Sequence, residues 1–192
     1  MPEWKSWPPP KARAWSSKAP GVRCGVVRVD MPGEDGSIDS SEFRTVLGHF
    51  ASGVTIVTGA GPSGPVGLTC QAFFGASLEP PLVLISPQLT STSWPKVAET
   101  GAFCVNVLSE DQETLCRAFA VSGGDKFKGV GWSAGPTGSP VIEGSLAWID
   151  CRVDDVRPAG DHYLVMGSVV DLGYARGKPL IFYRGGFGGF EA

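Results

Sequence analysis

The stretch from Gly67 to Ser86, GLTCQAFFGASLEPPLVLIS, constrains the fold of this chain more than any other. It opens with a short polar segment, Gly67–Ala72, and closes with an apolar run, Leu82–Ile85, that follows a double proline. Because Pro81 fixes its own φ and restricts the residue before it to extended backbone, the apolar run is predicted to be a buried strand. The polar segment is then predicted to be a loop between strands, and Val66–Cys70, which overlaps its start, is predicted to be the returning strand of a hairpin. Its backbone N–H groups suit a polar planar ligand, although a simple hairpin end fits the same residues.

Composition limits the class of protein. The 27 glycines and 16 prolines of the 192-residue chain favour short strands joined by turns. A net charge of −3 and the lack of a basic block argue against a nucleic-acid partner. None of the five cysteines forms a CxxC pair, so neither a metal site nor a disulfide framework is expected. No run suits a membrane span or a signal peptide, so a cytoplasmic location is expected.

Residues 1–36 differ in character from the rest. They mix Pro, Ser, Lys and Arg with three tryptophans and show no periodicity. Three interpretations fit: a disordered extension, an early start codon with Met31 as the true start, or an arm that docks tryptophans on a partner. We expect the folded domain to comprise residues 37–192.

Periodicity then predicts the elements of that domain. A helix is expected over Asp39–Ala51, with apolar residues on one face. A capping box between Ser109 and Gln112 predicts a second helix that ends near Ala120. Strict alternation over Leu146–Val156 predicts a strand that turns Asp150 outward. About seven closely spaced strands without regular crossover helices predict a mainly β fold, a small antiparallel barrel rather than a Rossmann sheet.

Three short stretches are candidates for a binding site. Four hydroxyls in succession, Thr90 to Ser93, lie at the start of a helix predicted over Ser91–Thr100. Such a place suits an anion, although ordinary capping needs only one of them. His162 is one of only two histidines and follows a Gly-Asp turn, where a lone histidine is more often a surface residue than a catalyst. Arg184 lies beside aromatic residues and is suited either to clamp a phosphate or to remain at the surface.

Together these pieces resemble the flavin reductase family of two-component monooxygenases, the short-chain type with a split antiparallel β-barrel that binds FMN. The resemblance covers Phe43 to Phe187. It rests on the order of FRTVLGHFASGVTIVT, the opening stretch, the hydroxyl run before Trp94, FCVNVL, the segment that ends at Phe119 with DKF after it, SPVIEGSLAWIDC, GDHYLVMG and FYRGGF. The chain is similar in particular to reductases that serve actinobacterial hydroxylases acting on the steroid 3-hydroxy-9,10-secoandrostatriene-dione.

The resemblance implies a homodimer, with a flavin, FMN or FAD, in the cleft of each subunit and NADH or NADPH beside it. It implies that five residues lie along the isoalloxazine and ribityl chain: Gly67, Leu68, Thr69, Gln71 and Ala72. It implies that five more lie near the ribityl chain and phosphate: Ser86, Pro87, Gln88, Thr92 and Ser93. Phe119 is expected beside the flavin. It implies that His162 contacts the nicotinamide nucleotide and that Tyr183, Arg184 and Gly185 line the same side.

Two departures from the family bear on the flavin. Many relatives carry serine in place of Ala72, and several carry a basic residue near Leu89 or Thr92. Without that basic residue, the phosphate is expected to depend on amides and hydroxyls.

The activity that the resemblance implies is hydride transfer from NAD(P)H to flavin, after which reduced flavin leaves for a separate monooxygenase that hydroxylates an aromatic or steroid ring. Such a transfer needs no strong general base, so His162 is the one candidate catalytic side chain. Two alternatives share the same fold: a flavin-binding or redox-sensing protein without turnover, and an oxidase or oxygenase that retains its flavin.

Overall fold

The computed structural model describes residues 38–190. The expectations for residues 1–36 therefore lie outside the described residues. The helices are α1 (Ser40–Leu47), α2 (Trp94–Ala98) and α3 (Glu113–Ala120), the last preceded by a 3₁₀ turn at Glu110–Gln112. The strands are β1 (Ser52–Gly53), β2 (Thr55–Gly61), β3 (Gly64–Cys70), β4 (Phe73–Leu78), β5 (Pro81–Ile85), β6 (Ala102–Val107), β7 (Trp132–Ala134), β8 (Pro140–Ile142), β9 (Ala147–Ala159), β10 (His162–Tyr174), β11 (Ile181–Tyr183) and β12 (Gly186–Gly188).

One antiparallel sheet of seven strands dominates, in the order β3-β2-β6-β9-β10-β5-β4. Its centre is the long hairpin of β9 and β10, in which Val156 faces Val165. Two smaller sheets, β1-β11-β12 and β7-β8, flank it. The predicted mainly β, antiparallel architecture is confirmed.

The apolar core forms two clusters because successive residues of a strand point to opposite faces of a sheet. On β2, Val57 belongs to the first cluster and Ile56 to the second. On β3, Leu68 packs into the first cluster. Both faces of this part of the sheet are therefore covered.

Several boundaries differ from the predictions. The polar segment Gly67–Ala72 is mostly strand and not loop, because β3 continues to Cys70, as the hairpin strand predicted over Val66–Cys70 requires. Only Gln71 and Ala72 lie between β3 and β4. Strand β4 was not predicted. The helix predicted over Ser91–Thr100 is only the five residues of α2.

The apolar face predicted for the first helix exists, but it is not buried. α1 ends at Leu47 and contains no buried residue. The apolar side chains of this stripe are 52–78% exposed: Phe43, Val46, Leu47 and Phe50. The pattern was interpreted correctly as amphipathic, yet the described residues do not cover this face.

Asp150 is a clear correction, because alternation predicted it outward and it is fully buried. Its Oδ2 accepts a hydrogen bond from the Thr137 backbone N–H at 2.7 Å, and its Oδ1 accepts one from Thr137 Oγ1 at 2.7 Å. The glycine-rich segment before β8 thus covers this face of β9. A buried carboxylate is tolerated here because its oxygens are hydrogen-bonded.

Candidate functional site

The connection between β3 and β4 packs against the end of β5. The carbonyl of Ala72 accepts a hydrogen bond from the Ser86 N–H at 3.1 Å. Gln71 is exposed, and its Nε2 donates to Ser52 Oγ at 2.7 Å. The predicted flavin residues Gln71, Ala72 and Ser86 are therefore brought together where β3 and β4, the two outer strands of the sheet, are joined.

The residues after β5 run beside the tip of the β9–β10 hairpin. Ser86 Oγ donates to the Tyr163 carbonyl at 2.8 Å, and the Tyr163 N–H donates to the Pro87 carbonyl at 2.9 Å. Gln88 and His162 form an isolated antiparallel β-bridge. Backbone pairing thus places the predicted phosphate-side residues Ser86–Gln88 next to His162, the predicted nicotinamide-side residue.

His162 is oriented by its neighbour. Its Nδ1 donates to Asp161 Oδ1 at 2.7 Å, which leaves Nε2 as the ring nitrogen available to a ligand. The hydrogen bond from His162 holds the pKa of the Asp161 carboxyl below its usual range. The charge of Arg44 on α1 lowers that pKa further. The carboxylate therefore stays ionised and holds the imidazole through the whole neutral range.

The four hydroxyl residues Thr90 to Ser93 do not all cap the helix. Ser91 Oγ accepts a hydrogen bond from the Trp94 N–H at 3.1 Å, so Ser91 does the capping. Ser93 makes no cap bond with its side chain, and Thr92 is exposed. The helix dipole expected at this anion site is weak, because α2 has only five residues and Pro95 lacks an N–H.

Three residues predicted to contact the flavin have inward-facing contacts. Thr69 Oγ1 donates to the Cys116 carbonyl of α3 at 2.6 Å, and Leu68 is buried in the first core cluster. Phe119 is fully buried in the second cluster. A Cβ added at Gly67 would lie 2.7 Å from Phe119 Cε1. Phe119 therefore supports the backbone of β3 from the core.

The predicted nicotinamide-side residues after β11 pack against the end of α1. Arg184 has a φ of +48° and Gly185 a φ of +82°, as a tight two-residue hairpin turn requires. The Arg184 N–H donates to the Gly48 carbonyl at 3.0 Å. The Tyr183 ring stands edge-on to that of His49, with centroids 6.4 Å apart. The contacts of this turn are thus to the end of α1, whereas His162 pairs with Gln88.

Sequence reasoning missed Lys126. Its ammonium donates to the carbonyls of Phe119 at 2.9 Å and Gly67 at 3.2 Å, and to Ser93 Oγ at 3.3 Å. It therefore joins three segments that were each predicted to hold the flavin. The available signal was the DKF triplet after Phe119, which supported the family resemblance without suggesting a role for its lysine.

The described residues also bear on metal, disulfide and membrane-spanning features. In residues 38–190, no three His, Cys, Asp or Glu side chains gather in a way that suits a metal ion. The four cysteines described are free and buried: Cys70, Cys104, Cys116 and Cys151. None of the described helices has the length and apolar character needed to cross a lipid bilayer.

Comparison with known proteins assigns the family. Residues 47–191 match the model of the flavin reductase like domain. The chain is 49% identical over 156 residues to the reductase subunit HsaB of a flavin-dependent monooxygenase from Rhodococcus jostii. The aligned region covers 81% of this chain and 80% of that protein. The chain belongs to the flavin reductase like family.

Solved structures agree. Nitrilotriacetate monooxygenase component B from Mycobacterium thermoresistibile matches with a TM-score of 0.76 and 46% identity, over 79% of this chain and 86% of its own. The NADH:FAD oxidoreductase SgcE6 of Streptomyces globisporus, solved with NAD and FAD fragments, matches with a TM-score of 0.75 and 34% identity, over 80% of this chain and 93% of its own.

Proposed function

We propose that this protein is an NADH-dependent flavin reductase that supplies reduced flavin to a separate monooxygenase in the cytoplasm. The observation that carries the proposal is the Gln88–His162 bridge in a member of this family. It brings a segment rich in amides and hydroxyls beside an imidazole held by a carboxylate. A flavin and a nicotinamide need to lie this close for hydride transfer.

The donor set fits a flavin. When bound, that cofactor accepts a hydride at N5 from the nicotinamide C4, so the protein has to position two rings rather than supply a strong acid or base. The residues that would hold it are the predicted set at the β3–β4 connection, after β5 and in the hydroxyl run. Backbone N–H groups there would stabilise negative charge that develops on the ring during reduction.

His162 is proposed to bind the nicotinamide nucleotide through Nε2, with Asp161 holding the ring in place. Tyr183, Arg184 and Gly185 are proposed to line the same side. NADH is the proposed donor because SgcE6 is named an NADH:FAD oxidoreductase and was solved with an NAD fragment. Either FMN or FAD is compatible with this site.

The openness of the site supports release of the flavin. Gln71, Ala72, Gln88 and Thr92 are exposed in the described part of the chain. HsaB is named as the reductase subunit of a flavin-dependent monooxygenase. We extend that arrangement to this chain, with an aromatic or steroid ring as the substrate of the partner.

A homodimer is part of the proposal. The stripe of α1 leaves Phe43 and Phe50 52% and 78% exposed, and Leu172 and Tyr174 at the end of β10 are 60% and 87% exposed. Large apolar side chains exposed on one stripe of a helix are typical of an interface. A second subunit would cover it.

The test of this function is NADH oxidation, measured as the loss of NADH absorbance. It is carried out with and without added FMN, FAD or riboflavin. We expect oxidation only when flavin is added. A protein that oxidises no NADH with any of the three flavins is not a flavin reductase.

A further inference from the structure

The ammonium of Lys126 is surrounded by neutral acceptors. Its three hydrogen bonds go to the carbonyls of Phe119 and Gly67 and to the hydroxyl of Ser93. The ion pairs formed by the described residues do not include it. A half-buried cation without a counter-ion is unfavourable unless an anion joins it.

The neighbouring charge that lowers the pKa of Lys126 has the same sign. Burial, and next the charge of Lys96, lowers the pKa of the Lys126 ammonium. Lys96 lies on α2, directly after the hydroxyl run. Two lysines therefore raise the positive potential at the position where the sequence predicted a phosphate held by neutral groups alone.

Ser93 completes the arrangement. Its hydroxyl makes no helix-capping bond, and its oxygen accepts from Lys126. A hydroxyl that accepts from a cation still has its own proton to donate. The five-residue α2 contributes little dipole, so the lysines are the main source of positive charge here.

We propose that Lys126 is the cation of the flavin phosphate site, which attracts the phosphate through space and sets Ser93 to donate to it. This inference rests on the proposed function, because the anion is the phosphate of the flavin that the protein reduces. It differs from the expectation, made from the sequence, that the phosphate depends only on amides and hydroxyls.

The competing explanation is purely structural: Lys126 ties the end of α3 to β3 and has no influence on the phosphate. FMN and riboflavin separate the two explanations, because they share the ring and ribityl chain and differ only in the phosphate. Binding of each oxidised flavin is measured by fluorescence quenching, without NADH and without turnover.

Lys126→Met is expected to weaken FMN binding at least about tenfold and riboflavin binding less than about threefold. Lys128→Met is the matched control, because Lys128 is exposed in the same loop and its loss changes the net charge equally. It should leave both affinities within about twofold. Lys126→Arg should retain most of the preference for FMN, because it keeps the charge.

Equal weakening of FMN and riboflavin by Lys126→Met, or unchanged FMN binding, overturns the inference. If Lys126→Met fails to fold, Ser93→Ala decides instead, with a selective loss of FMN expected and an equal loss or none contradicting it. A wild-type protein that reduces both flavins with NADH but binds them equally well also overturns the inference, and it leaves the reductase proposal standing.

Discussion

The backbones of Gln88 and His162 pair as an antiparallel β-bridge, although the two residues belong to distant parts of the chain. The bridge links the end of β5 to the tip of the β9–β10 hairpin. In the proposed function, one of these residues lies on the flavin side and the other on the nicotinamide side. Sheet pairing, which is stiffer than a flexible loop, would then set the relative position of the two cofactors.

The Asp161–His162 pair should affect NADH use and leave flavin binding alone. Asp161→Asn removes the charge that holds Nδ1, so the KM for NADH is expected to rise about fivefold, while the flavin Kd stays the same. Steady-state kinetics and flavin titration measure the two effects. Asp171→Asn, an exposed carboxylate on β10, is the control.

His162→Ala should raise the KM for NADH further, by about tenfold. Because the pKa of Asp161 is lowered, the pair should persist at neutral pH and be lost only as the pH falls below the usual carboxyl range. An unchanged KM and kcat for NADH in His162→Ala would show that this imidazole does not contact the nucleotide.

Gly67 cannot take a side chain without displacing Phe119. The added Cβ of Gly67→Ala would lie 2.7 Å from Phe119 Cε1, so we expect a loss of about 1–3 kcal/mol in the free energy of unfolding. Urea denaturation measures it. Gly75→Ala on β4 is the control, since its Cβ would meet no atom within 4 Å. Equal stability of the two variants would contradict the packing described.

Asp150→Asn should destabilise the fold through the Thr137 segment. The amide replaces one of the two oxygens that accept from Thr137 at 2.7 Å by a donor. The expected loss is about 2 kcal/mol in the free energy of unfolding. Asp154→Asn, exposed on the same strand, should change it by less than about 0.5 kcal/mol. A similar, small effect of both substitutions would mean that the buried carboxylate is dispensable.

The exposed stripe of α1 provides a test of the dimer. Phe43→Glu combined with Phe50→Glu should convert a dimer into a monomer, because two charges would be buried at the interface. Light scattering coupled to size-exclusion chromatography measures the mass. Val121→Glu, which changes an apolar residue that is 64% exposed after α3, is the control. A dimer that survives the double substitution would place the interface elsewhere.

Local patterns predicted much of the fold. The β-branched run of β2 and the apolar run of β5 are strands, and Gln112 Oε1 accepts from the Ser109 N–H at 3.1 Å as the predicted capping box requires. Strand β4 was missed because FFGASL neither alternates nor carries β-branched residues. Its extended conformation comes from pairing with β5.

What local patterns could not predict depends on distant segments. Asp150 looks solvent-facing within its own strand, and only the segment around Thr137 buries it. Lys126 looks like an ordinary loop lysine, because its partners Gly67 and Ser93 lie 59 and 33 residues away. The residues of the flavin site were inferred from resemblance, and their contacts with flavin stay a prediction.

Anaerobic reduction of flavin tests the central claim most directly. The protein is mixed with NADH and a large excess of FMN, and bleaching of the flavin absorbance is followed. A reductase that releases its product should bleach the entire flavin pool. Bleaching that stops at one flavin per subunit would contradict the account and indicate a protein that retains its flavin.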